Sequence, residues 1–194
     1  MRKVKVVEYN PEWRIEFERL RSVYVQQLGR LKVDVQHVGS TAVPGLVAKP
    51  IIDIDIIVDN EETVAAAIGA LGELGYAHLG DRGIPGREAL ERASDEVPYS
   101  AGRNAWPPHH LYVCVDGCTS LRNHLIFRDY LRSNPDVARA YGHLKTELAQ
   151  LFEYDVDTYC EKKTSFVAEV FANAGLAEED VRDIVERNTR PDDR

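Results

Sequence analysis

Asp53 and Asp55 stand two residues apart in "IIDIDIIV", residues 51–58. The rest of the run is isoleucine and valine, which favour strands. A strand sends alternate side chains to opposite faces. Both carboxylates therefore share one face, while Ile52, Ile54 and Ile56 share the other and read as core. Two carboxylates this close repel each other, and carboxylates seldom sit among apolar residues without a partner. A divalent cation removes the conflict. Hard oxygen ligands on a stiff strand suit Mg²⁺ or Mn²⁺, which usually keep waters and take phosphate oxygens of a substrate as further ligands.

About a dozen residues upstream lies "HVGSTAVPG", residues 37–45. Gly39 lets the backbone come close to a ligand, and successive N–H groups at the start of a helical turn attract a phosphate. Ser40 and Thr41 add hydroxyl donors, and Lys49 adds a point charge. The spacing from Gly39 to Gly45, with no Gly-Lys-Ser/Thr after it, excludes the P-loop of NTPases. Cation-binding carboxylates beside a phosphate-binding turn suit a phosphorylated small molecule.

A second group lies at "HHLYVCVD", residues 109–116. His110 and Tyr112 share one strand face, and His109, Leu111 and Val113 the other. His110 suits a metal ligand or an acid–base group near neutral pH. Arg122, His124 and Arg128 lie on one predicted helix and reach a phosphate if that helix abuts the site. Arg103 and Trp106 border the strand at 109, either as a pocket wall or as packing.

The elements that must position these residues follow from periodicity. Residues 3–8 alternate and predict a strand. Asn10 and Pro11 then suit the N-cap and first position of a helix running to about Leu28. Its apolar stripe is Trp13, Phe17, Leu20 and Tyr24. Strands are predicted at 33–38, 51–58, about 76–80 and 109–116, with a turn of helix after Ser40 and a helix over 61–74. Residues 80–108, rich in glycine, proline and charge, predict a loop with a strand near Tyr99. Helices are predicted over 119–132, 135–152, 157–174 and 178–187, with a frayed tail at 189–194. Strands with intervening helices, then helices alone, predict an α+β fold: a mixed sheet flanked by helices, with a helical C-terminal layer.

The 194 residues suit one domain over 1–194, with its core over about 1–118 and a helical part over about 119–188. The formal net charge of −8 disfavours nucleic acid as a partner. The first residues carry basic groups but no apolar run, and nothing downstream is apolar for long enough to span a bilayer. The expectation is a cytoplasmic protein with no membrane partner. Three cysteines, Cys114, Cys118 and Cys160, are too few for a disulfide framework or a four-ligand zinc site and read as reduced thiols. The oligomeric state is left open.

A strand, a Gly-Ser turn and Asp-x-Asp on the next strand resemble the nucleotidyltransferase superfamily. The longer run "HVGSTAVPGLVAKPIIDIDIIV" resembles the GrpB family, also called UPF0157. "YNPEW" at 9–13, "HHLYVCV" at 109–115, "LRNHLIFRDYLRSNP" at 121–135 and "YCEKKTSFV" at 159–167 extend that likeness over about Val6 to Phe171. The resemblance implies a nucleotidyltransferase-like fold in which Gly39 and Ser40 hold phosphates. Asp53 and Asp55 would then hold the metal for in-line attack at an α-phosphorus. It also implies a role for Lys163, which matches a family lysine. Some members are fused to dephospho-CoA kinase, and family names mention a protein-folding accessory role. Two departures stand out. Tyr112 replaces the second histidine of a His-x-His pair, and the strand at 109–116 carries no mid-strand carboxylate to complete an ordinary nucleotidyltransferase triad. A binding module for a nucleotide or CoA-like ligand is therefore the alternative to an enzyme.

Overall fold

The computed structural model describes residues 3–189. Five strands form one sheet: β1 (Val33–Val38), β2 (Ile52–Val58), β3 (Tyr76–His78), β4 (Arg87–Arg92) and β5 (His109–Val115), in the order β1-β2-β5-β4-β3. β2 runs parallel to β5 and every other pairing is antiparallel. The helices are α1 (Glu12–Gln27), α2 (Glu61–Glu73), α3 (Thr119–Ser133), α4 (Pro135–Leu151), α5 (Val156–Lys162), α6 (Thr164–Asn173) and α7 (Glu178–Thr189), and one 3₁₀ turn spans Ser40–Ala42. The fold is α+β, a mixed sheet with helices on both sides. Among the described residues no helix is long and apolar enough to cross a membrane.

α1 and α2 cover the back of the sheet. The isoleucines of β2 face them: Ile52, Ile54 and Ile56 are fully buried with Leu20, Tyr24, Leu71, Leu111 and Val113. α1 starts where Asn10 Oδ1 accepts from Glu12 N at 3.0 Å. α2 starts where Asn60 Oδ1 accepts from Thr63 N at 3.0 Å, as N-cap chemistry requires. α3 crosses the front of the sheet, and α4 to α7 pack beside it.

Three expectations need correction. Residues 3–8 form no strand; Val7 makes a single antiparallel bridge to Ala48. The loop expected over 80–108 contains β4, while the segment near Tyr99 has a single bridge from Ser100 to Arg103 instead of a strand. β4 reads "REALER", residue types that strands disfavour, and it is held by its neighbours and by burial of Ala89 and Leu90. The helix expected over 157–174 breaks at Lys163. Its halves pack differently: Tyr159 joins Val4 and Leu148, whereas Val170 joins Leu131 and Tyr141. Of the tail expected over 189–194, Thr189 ends α7, and residues 190–194 lie outside those described.

The buried back layer also holds two histidines. In one chain of hydrogen bonds Tyr24 OH meets Tyr76 OH at 2.7 Å, Tyr76 OH meets His109 Nε2 at 2.5 Å, and His109 Nδ1 meets Pro107 O at 2.9 Å. The carbonyl can only accept, so Nδ1 carries the proton and Nε2 accepts from Tyr76, leaving the ring neutral. His37 stacks on Phe17, with centroids 4.7 Å apart. Burial lowers the pKa of both rings to about 4. Between that value and the ordinary 6.5 the folded chain binds fewer protons than the unfolded one. Their contribution is thus complete above pH 6.5 and is lost as pH falls towards 4. Each histidine contributes about 1.4 kcal/mol for every pH unit between the two values, a few kcal/mol apiece. Urea unfolding at a series of pH values should show this acid-side slope, and His109→Gln should remove roughly half of it. A flat profile over that range would contradict the assignment.

Candidate functional site

β2 lies at the centre of the front face. Asp53 pairs in register with Val38 on β1 and His110 on β5, and Asp55 pairs with Gln36 and Tyr112. The alternation that buries the isoleucines behind turns both carboxylates forward. Asp55 has no exposed surface, while the Asp53 side chain keeps 30% of its own. Gly39 follows β1 directly, in the left-handed region at φ 68°. A Cβ on Gly39 would lie 2.2 Å from Asp53 Oδ2. Glycine is therefore required twice over, by its backbone angle and by the approach of the carboxylate.

Each carboxylate meets a histidine. His110 Nδ1 donates to Asp53 Oδ1 at 2.9 Å, with half of the histidine side chain exposed. His124, on α3, donates from Nδ1 to Asp55 Oδ2 at 2.7 Å. Burial opposes charge on His124, but Asp55 outweighs it and the histidine's pKa is raised. The other oxygen, Asp55 Oδ1, is buried and without a hydrogen-bond partner among the described residues. Such an atom is costly to leave bare, and it stands on the same strand face as Asp53. Tyr112 stands between the histidines, its ring centroid 6.5 Å from His110 and 6.2 Å from His124. Burial and then the Asp53 charge push its hydroxyl up to about 12, so it stays protonated. The Arg87 guanidinium lies 4.6 Å from the Tyr112 ring centroid. Among the described residues no three His, Cys, Asp or Glu side chains form a ready metal cage; the pair offers two carboxylates and needs ligands from outside the chain.

One lysine reaches the Gly39–Ser40 turn, and two more meet on a nearby tyrosine. Lys145, buried on α4, donates to Ser40 Oγ at 2.9 Å and also to the Val47 carbonyl. Lys49 and Lys163 both lie on the Tyr159 ring, at 4.6 and 4.4 Å from its centroid. Burial, reinforced by the Lys163 charge, lowers the pKa of Lys145 to about 7. Sequence reasoning does not single out Lys145. Its signal is a lysine on the apolar stripe of α4, where Ala138, Tyr141 and Leu148 are also buried. His124 sits likewise between the buried Leu121 and Arg128 on α3.

Other candidates have different surroundings. The Thr41 hydroxyl meets His37 Nε2 at 3.0 Å on the back of the sheet. Arg128 is engaged by Gln36 Oε1 at 2.8 Å, the His37 carbonyl at 3.0 Å and Asp129 at 2.7 Å, and so ties α3 to β1. Arg122 pairs with Asp180 of α7 at 3.0 Å. Trp106 is buried, donating to the Pro98 carbonyl at 2.8 Å, with Arg103 stacked 4.0 Å from its centroid; this is packing. The three cysteines are free thiols.

The chain is 33% identical over 86% of its length to the glutamate-rich protein GrpB of Alkalihalophilus pseudofirmus, covering 93% of it. It is 31% identical over 89% of its length to the UPF0157 protein YqkA of Bacillus subtilis, but spans only 48% of that relative. It is also 28% identical over 88% of its length to a dephospho-CoA kinase of Mycolicibacterium paratuberculosis, again spanning less than half, 46%. The crystal structure of GrpB from Enterococcus faecalis superimposes with a TM-score of 0.73 at 35% identity, covering 88% of this chain and 96% of that one. The Cid1 poly(U) polymerase, in a structure bound to MgATP, matches over 75% of this chain and 44% of its own with a TM-score of 0.52 at 12% identity, a likeness of fold alone. The model of the GrpB protein family matches residues 3–173, and the chain belongs to that family.

Proposed function

We propose that the chain is a metal-dependent nucleotidyltransferase that transfers a nucleotidyl group from a nucleoside triphosphate to an acceptor. The observation that carries this reading is the pair of forward-facing carboxylates, with Asp55 Oδ1 buried and unpartnered among the described residues, next to a turn whose Ser40 is held by Lys145. Asp53 and Asp55 would hold Mg²⁺ or Mn²⁺; two carboxylates completed by phosphate oxygens and waters are an ordinary Mg²⁺ set. Bound there, the ion supplies Lewis-acid polarisation of the α-phosphoryl group.

The chain's own groups do the remaining work. The Gly39 and Ser40 backbone and the Ser40 hydroxyl orient the phosphates, and Lys145, Lys49 and Lys163 balance their charge. His110, half exposed at Asp53, is positioned to take a proton from an acceptor hydroxyl. Tyr112, protonated, stays a hydrogen-bond donor. Arg128 holds α3 on β1, and so keeps His124 against Asp55.

A second reading is a binding module for a nucleotide or CoA-like ligand. It is favoured by β5, where His110 and Tyr112 stand opposite the two aspartates and no carboxylate does. Release of pyrophosphate with any acceptor separates the two; saturable binding without it supports the module.

Two outcomes are expected. ATP, GTP, CTP or UTP with Mg²⁺ or Mn²⁺ should raise the melting temperature, since a ligand of the folded state stabilises by mass action. Asp53→Ala and Asp55→Ala should each abolish the metal-dependent part of that rise; its retention in both would overturn the metal site. Lys145 is charged below about pH 7 and loses its proton above it, so triphosphate affinity should fall by about tenfold between pH 6.5 and 8.5. Calorimetric titration at several pH values should show this fall in the native chain and its loss in Lys145→Met.

A further inference from the structure

A cavity of about 830 Å³ opens on the other side of β1 from the aspartates, between α1, the loop at 41–45 and the junction of α3 with α4. Its size falls in the range of about 300–1,000 Å³ usual for ligand pockets. The aspartate site does not account for it. β1 turns Gln36 and Val38 forward to the aspartates and His37 backward to the cavity. Two of the segments that mark the family likeness, "YNPEW" and "LRSNP", place no side chain against the aspartates. They supply Tyr9, Leu131, Arg132 and Pro135 to this cavity, and "GSTAVPG" supplies Thr41 to Gly45.

The charge of the lining is the main observation. Arg14, Arg132 and Arg139 face one carboxylate, Glu18, in a chain whose net charge is −8. Arg139 is paired with Asp136 of its own helix. Arg132 gives Nε and Nη2 to the Ala42 carbonyl at 3.0 and 2.8 Å and stands 3.6 Å from Asp129. Arg14 has no carboxylate partner among the described residues. Glu18 lies 3.8 Å from Arg21, which is not part of the lining. Burial and then the Arg128 and Arg14 charges hold the Arg132 pKa below its ordinary value, the sign of crowded cations. The inner lining is uncharged: His37 stacks on Phe17 and is kept neutral by burial, with Leu131, Val43 and Pro44 also contributing. Guanidinium forks match carboxylate and phosphate oxygens, and an apolar, aromatic inner lining favours a planar or apolar body.

We propose that this cavity is a second ligand site, for a small organic anion that joins a carboxylate or phosphate group to a planar or apolar body. Arg14 and Arg132 hold the anionic group at the mouth, and the Phe17–His37 stack carries the body. The site is independent of the aspartate chemistry.

The test is an NMR titration of the ¹⁵N-labelled full chain with phenyl phosphate, benzoate and inorganic phosphate. Saturable shifts of the amides at Arg14, Phe17, Thr41, Ala42, Val43 and Gly45 are expected with at least one organic anion. Tighter phenyl phosphate identifies a phosphate ester as the ligand class, and tighter benzoate a carboxylate; either carries the proposal. Arg14→Gln, an exposed change that leaves the fold intact, should weaken binding by about tenfold, the usual scale for a charge-assisted contact. Asp53→Asn should leave it unchanged, which separates this site from the proposed transferase site. Shifts confined to Gly39, Ser40 and Lys145 would overturn the proposal. So would inorganic phosphate binding as tightly as phenyl phosphate, full affinity in Arg14→Gln, or no saturation by either organic anion at millimolar concentration.

Discussion

A carboxylate with no exposed surface, Asp55, sits in the central strand of the sheet, and much of the front of the molecule is arranged around it. Burying a charge is expensive unless partners surround it. His124 answers one oxygen. That contact requires α3 to cross the front of the sheet, and Arg128 secures the crossing by binding Gln36 and the His37 carbonyl. The second oxygen is left bare, beside Asp53 and below the glycine that admits it. A strand that must keep three isoleucines behind has no freedom to turn either aspartate elsewhere.

The loop from Gly39 to Ala48 is held from both ends by cations of the C-terminal helices. Arg132 of α3 binds the Ala42 carbonyl, and Lys145 of α4 binds Ser40 and the Val47 carbonyl. Hydrogen bonds from charged donors are among the stronger ones in proteins. The helical layer thus has a mechanical role: it fixes the turn that would meet phosphates, on one side, and borders the arginine-lined cavity, on the other. The neutral Tyr24–Tyr76–His109 chain does the corresponding work behind the sheet, where hydrogen bonds without net charge suit the apolar layer.

Much of this was legible in the sequence where periodicity and residue type agree. "IIDIDIIV" announces both its strand and its two faces, and α1 shows its stripe of Trp13, Phe17, Leu20 and Tyr24. The GrpB likeness and the nucleotidyltransferase-like α+β fold followed from the motifs around them. β4 was hidden because Arg, Glu and Ala describe a surface and its strand state comes from tertiary pairing. The break at Lys163 was hidden because both halves are amphipathic and the parting is made by two separate clusters. Lys145 and the contact of His124 with Asp55 depend on helices far along the chain folding back onto β1 and β2, which no local pattern encodes. Lys49 and Lys163 lie over 100 residues apart yet meet on one tyrosine ring.

The central claim is that Asp53 and Asp55 jointly bind a divalent cation with a triphosphate. Crystals grown with Mn²⁺ and a non-hydrolysable nucleoside triphosphate, measured at the manganese absorption edge, test it most directly. The account predicts an anomalous peak beside both Asp53 and Asp55, with the triphosphate next to it at Gly39 and Ser40. A triphosphate bound with no peak between the two aspartates, or manganese held elsewhere, would contradict it.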